Sequence, residues 1–98
     1  MPIYSTEDLR RVLTPVFRQF GVRRAILFGS YAKGCATSNS DVDLLVDSGL
    51  WGMAFFGLLD SVASALRIPV DLIDVSQLCT NSPIEREIRS SGVQIYEQ

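Results

Sequence analysis

A mixed α/β fold (α+β), with a sheet of about four strands flanked by helices in a single domain over residues 1–98, is predicted by three observations. Apolar residues recur at helical spacing near the amino terminus, short apolar or alternating runs follow at 25–28, 41–47 and 69–75, and polar or glycine-bearing turns separate them. The length of 98 residues suits one core and leaves no room for a second interior.

The first segment opens on Ser5, Thr6, Glu7 and Asp8, and then Leu9, Val12, Leu13, Val16, Phe17 and Phe20 return every three or four residues. Ser5 or Thr6 serves as N-cap, and Glu7 and Asp8 suit the positive first turn of a helix. Pro15 is expected to bend or interrupt that helix near Leu13, because an interior proline forfeits a backbone hydrogen bond. Gly21 ends it. Ala25, Ile26, Leu27 and Phe28 form an uninterrupted apolar run, suited to a central strand, that leads into Gly29 and Ser30. A brief helix is expected after Ser30, then a polar loop at 37–40.

From Asp41 to Asp47 the pattern alternates, with Asp41, Asp43, Leu45 and Asp47 on one side and Val42, Leu44 and Val46 on the other. Residues 53–66 read as a second long helix and 69–75 as a third strand. Ser82 and Pro83 begin a last helix as N-cap and first helical residue, running to Arg89. Gly92 stops it, and residues 93–96 close the chain as a strand.

Apolar residues make up 47% and charged residues 20%, as in ordinary folded domains. Nine basic and eleven acidic residues give a net charge of −2 without a long single-sign block, so no binding to duplex nucleic acid is expected. The chain has no histidine, which removes imidazole catalysis and the usual zinc sites. Carboxylates must carry any chemistry. Cys35 and Cys79 lack metal-ligand spacing and are expected to be small buried or half-buried apolar residues in a reducing compartment. The polar amino terminus and the shortness of the apolar stretch at 50–59 predict a cytoplasmic chain without a membrane span.

A strand that runs through Gly29 and Ser30 into a short helix presents backbone N–H groups where an anion such as phosphate is favoured, and Lys33 can add positive charge. The spacing from Gly29 to Gly34 superficially resembles a Walker A loop, yet Cys35 and Ala36 stand where that loop needs Lys and Ser or Thr. A P-loop is rejected, as is the three-glycine dinucleotide fingerprint. Asp41 and Asp43, two apart on a strand, point to one face about 7 Å apart at the backbone. Their repulsion is relieved by a hard divalent cation, and oxygen-only ligands select magnesium or manganese. A third acid from a neighbouring strand would complete a two-ion site for phosphoryl displacement. Asp71, lying within an apolar strand, is preferred for that place over Asp74.

Leu27-Phe28-Gly29-Ser30-Tyr31-Ala32-Lys33-Gly34, followed by Ser40-Asp41-Val42-Asp43-Leu44-Leu45-Val46, resembles the minimal nucleotidyltransferase (MNT) family of the DNA polymerase β-like nucleotidyltransferase superfamily. The resemblance implies the nucleotidyltransferase fold and a nucleoside triphosphate, ATP foremost, bound with two magnesium ions. It also implies that Gly29 and Ser30 hold the triphosphate, that Asp41 and Asp43 ligate both ions, and that Asp71 ligates one while favouring deprotonation of the acceptor. Lys33 stands where the family pattern often has Arg. Small members of the family are typically paired with a helical HEPN-domain protein, as antitoxin beside toxin. The expectation is therefore transfer of AMP, or another nucleotide, to a hydroxyl on such a partner. Two rivals are a non-catalytic, nucleotide-binding antitoxin acting by occlusion and a transferase acting on a small molecule.

Asp47, Arg23 and Arg24 are expected at the surface, and Tyr31 is expected to pack. The region from Trp51 to Leu59 carries more bulky apolar groups than one helix face buries, so it suits a contact surface, including homo-oligomer formation, as well as it suits the core.

Overall fold

The structure is a computed structural model and describes residues 3–98; of the expected domain, residues 1 and 2 lie outside the described ones. The described residues form α1 (Thr6–Gln19), β1 (Arg24–Phe28), α2 (Gly29–Lys33), β2 (Val42–Asp47), α3 (Gly52–Leu66), β3 (Val70–Asp74), a 3-10 turn at Val75–Gln77, α4 (Pro83–Ser91) and β4 (Val93–Glu97). They build one four-stranded sheet in the order β3-β2-β1-β4. β1 is antiparallel to both β2 and β4, whereas β2 and β3 are parallel and joined through α3. The sheet is mixed, as expected.

Binary patterning decides which face is the core. Val42, Leu44 and Val46 of β2, with Ala25 and Leu27 of β1 and Ile95 of β4, meet Leu9, Leu13 and Phe17 of α1 and Leu58, Val62 and Leu66 of α3. Each of these side chains is essentially inaccessible, and burial of a large aliphatic or aromatic group contributes roughly 1.5–3 kcal/mol. Asp43, Leu45 and Asp47 point to the opposite face by strand alternation, and α4 packs against β1 on that side, where Gly92 comes close to Ile26. Tyr31 is buried with the core cluster, and Arg23 is exposed beside Asp47.

Two sequence expectations are corrected. α1 runs through Pro15 without interruption. Pro15 and Arg11, whose carbonyl loses its helical partner, both lie on the exposed face, so water can satisfy that carbonyl, while Leu9, Leu13 and Phe17 hold both halves of the helix on the core. A reciprocal capping box between Ser5 and Asp8 fixes the start. The cysteines are also not buried: Cys35 and Cys79 are free and exposed, because both fall in polar connections rather than on core faces.

Asp74 is buried at the end of β3, and it holds the far end of the sheet together. Its Oδ1 accepts from the Ser48 backbone N–H at 3.1 Å and from the Ser48 hydroxyl at 2.6 Å, and its Oδ2 accepts from the Ser76 N–H at 2.9 Å. Burial pushes its carboxyl upward, but the Ser48 and Ser76 hydrogen bonds outweigh burial and hold it below the usual carboxylate range. Asp74→Ala strands two buried donors on Ser48 and should cost about 2–4 kcal/mol by urea denaturation. The stabilisation it removes is present above the ordinary carboxylate value and is lost as pH falls through the lowered one.

Candidate functional site

The register of the sheet assembles the acids. Phe28 at the end of β1 is opposite Asp43 of β2, and Asp43 is in turn beside Asp71 of the parallel β3. Asp41 lies one residue before β2, exposed, and two residues from Asp43. Asp71 is exposed and Asp43 half-buried. Three sequence candidates are thus gathered at one end of the sheet, whereas Asp74 is committed at the other end to the hydrogen bonds that tie Ser48 down.

The Gly29 turn rests directly on this carboxylate. Gly29 follows β1 with φ of +74°, and a Cβ placed on it would lie 2.2 Å from Asp43 Oδ2. Only glycine leaves room for the acid and takes the left-handed conformation cheaply. α2, starting there, ends in Gly34, also left-handed at φ of +74°. Ser30 is half-buried in its first turn.

Electrostatically the site is an excess of negative charge. Burial first, and then the charges of Asp71, Asp41 and Glu87, push the Asp43 carboxyl up from 3.8 to about 6. Glu87, on α4, was not singled out from the sequence. The available signal was its position beside Ile84, Ile88 and Ser91 on the apolar stripe of an amphipathic helix, where a charged residue needs a reason. Lys33, the expected phosphate contact, instead pairs with Glu87 at 3.0 Å.

Among the described residues no three acid or thiol side chains converge into a formed cation cage. The donor chemistry nevertheless fits a hard divalent ion: oxygen-only ligands, mutually repelling and partly dehydrated, beside a turn that can take phosphate. Magnesium is characteristically held by one or two carboxylates together with substrate phosphates, so an ion of that kind needs no all-protein cage.

Acids at a β-strand end beside a Gly-Ser turn are the arrangement expected of a nucleotidyltransferase, and the chain belongs to the family described as Polymerase beta, Nucleotidyltransferase, which matches residues 12–98. Two curated relatives share its sequence. Protein adenylyltransferase MntA of Thermococcus cleftensis is 35% identical over 86 residues, covering 80% of this chain and 85% of that protein. A protein of Methanocaldococcus jannaschii, provisionally named for the same activity, is 40% identical over 45 residues, or 46% of this chain and 48% of that one. Among solved structures, a toxin-antitoxin crystal structure with AMP-PNP superposes with a TM-score of 0.77 at 28% identity, covering 91% of this chain and 73% of that chain.

Proposed function

We propose that this chain is a protein adenylyltransferase antitoxin, which transfers AMP from ATP to a hydroxyl on a HEPN-domain toxin and so silences it. The observation that carries the reading is Asp43, wedged between the Gly29 turn and Asp71 and short of positive charge. Its support is the match to a named adenylyltransferase over most of both chains and the likeness to a toxin-antitoxin structure with an ATP analogue.

In this reading Gly29 and Ser30 cradle the triphosphate through backbone N–H groups and the Ser30 hydroxyl, and Asp41, Asp43 and Asp71 would hold two magnesium ions. When bound, the ions neutralise charge on the phosphates and on the attacking and leaving oxygens. The acceptor oxygen bonds to the α-phosphorus while the bond to the β-phosphate oxygen breaks and pyrophosphate departs; in this reading Asp71, an exposed acid beside Asp43, draws the hydroxyl proton. The reaction is chiefly positioning, which suits carboxylates fixed by strand register.

The test is incubation of the chain with α-labelled ATP, magnesium chloride and a co-purified HEPN-domain partner, followed by mass spectrometry. Adenylyl mass on one partner hydroxyl is expected, with none when Asp41 and Asp43 are both Asn. Transfer that survives the double substitution would remove the acids from the mechanism.

A second contribution, occlusion, is favoured by the exposed apolar groups at the start of α3 and on the residue that caps it. Trp51 is 85% exposed, Met53 86% and Phe56 64%. Because α3 follows β2 and leads into the parallel β3, its start lies at the Asp47 and Asp74 end, opposite the acids and about 13 Å away along β2. A partner seated there leaves the acid site open. Trp51→Ser with Phe56→Ser should weaken partner binding at least ~10-fold by calorimetry, since aromatic anchors dominate interfaces. Thermal stability and ATP binding should hold, because both side chains lie outside the core. Light scattering of the chain alone reads any homo-oligomer formed through the same face.

A further inference from the structure

We propose that the Lys33–Glu87 ion pair is a latch that a nucleoside triphosphate must open: Glu87 of α4 holds the Lys33 ammonium away from the phosphate-binding turn until the triphosphate draws it across. This rests on the adenylyltransferase reading and adds a positioning residue to the same site.

The geometry points to it from three sides. Lys33 closes α2, the five-residue helix that begins at Gly29, so its ammonium swings on a four-carbon stem within one and a half turns of the phosphate turn. Its Nζ is 3.0 Å from Glu87 Oε1, with Lys33 47% and Glu87 35% exposed, so the pair is neither buried nor locked. Glu87 is also near enough to Asp43 for its charge to be felt there, which places the pair beside the acid site rather than on a remote surface. An incoming triphosphate offers Lys33 several anionic oxygens in place of one carboxylate.

α4 has the weakest hold on the fold of the longer helices. None of its residues is fully buried, and Ile84 is 42% exposed. A helix anchored so lightly can shift at low cost when the Lys33 contact is lost.

The test is calorimetric titration of the full chain with magnesium-ATP, with adenosine as the control ligand lacking phosphates. Glu87→Gln is expected to tighten ATP binding about 2- to 5-fold, the range a half-exposed ion pair can supply, and to leave adenosine binding unchanged. Lys33→Ala should weaken ATP binding, and in that background Glu87→Gln should add nothing. Equal tightening with and without Lys33 would show that Glu87 acts by its charge alone and overturns the latch. Unchanged or weaker ATP binding by Glu87→Gln, or unchanged ATP binding by Lys33→Ala, overturns it too. Absence of ATP binding by every form, wild type included, instead overturns the adenylyltransferase reading on which the latch rests.

Discussion

Replacing Asp43 with Asn is expected to abolish nucleotidyl transfer and, at the same time, to make the protein more stable at neutral pH. The acid to which the proposed chemistry gives a cation is one the fold would rather keep protonated: burial, Asp71, Asp41 and Glu87 together raise its carboxyl from 3.8 to about 6. A carboxyl raised on folding binds its proton more tightly in the native state than in the unfolded one, so stability falls as pH climbs from the unfolded value toward the folded one. Above about pH 6 the wild type carries the full penalty, and the Asn variant carries none. A shift of about two units corresponds to about 3 kcal/mol at 1.36 kcal/mol per unit, and partial exposure of Asp43 reduces that to on the order of 1–2 kcal/mol. Urea denaturation should therefore show the variant more stable near pH 7.5 and level with the wild type near pH 4. Magnesium with ATP should stabilise the wild type and do little for the variant, since only a ligand that binds the native state shifts its stability. Transfer should drop at least ~100-fold, because charge neutralisation by a site of this kind is worth several kcal/mol. A variant that gains no stability at neutral pH would mean that Asp43 is not strained by its neighbours.

Part of the candidate site is legible in the sequence because strand alternation and glycine chemistry are local. Alternation puts Asp43 on one face of β2, whereas Asp41, expected in the same strand, lies just before it; a Gly-Ser turn after an apolar strand had to approach something closely. The choice of Asp71 over Asp74 rested on pattern alone, and the structure supplies its physical side: register sets Asp71 beside Asp43, while Asp74 is consumed by Ser48 and Ser76. The partner of the Gly29 turn was not readable, since contact with Asp43 follows from antiparallel pairing of β1 with β2, which no local spacing encodes. Glu87 escaped for the same reason, because α4 is brought over β1 only by tertiary packing. Pro15 shows the converse failure. The proline rule predicts a bend or an interruption, and the helix is not interrupted because three buried side chains on the opposite face hold both of its halves on the core.

Gly29→Ala is the other substitution with a large expected effect, and its value lies in what it should leave intact. Two costs arise at this position. The left-handed backbone, φ of +74°, costs an L-residue roughly 1–2 kcal/mol. The new methyl would also sit 2.2 Å from Asp43 Oδ2 and 3.1 Å from its Cγ, so the carboxylate must swing aside. What it meets is the end of a side chain rather than backbone, and the fold should survive with a melting temperature lower by about 4–15 °C. The site should not. In the proposed mechanism an acid displaced by an ångström or more would no longer hold a cation in line with the phosphate, and misplacement on that scale costs ~100-fold in rate. Gly34→Ala separates the two costs, because Gly34 has the same φ of +74° and a Cβ there meets nothing within 4 Å. It should lose only the backbone share of that stability and retain transfer to the HEPN-domain partner within a few-fold. If both alanine variants lose activity equally, backbone strain in α2 is the cause; if only Gly29→Ala does, Gly29 is there to make room for Asp43.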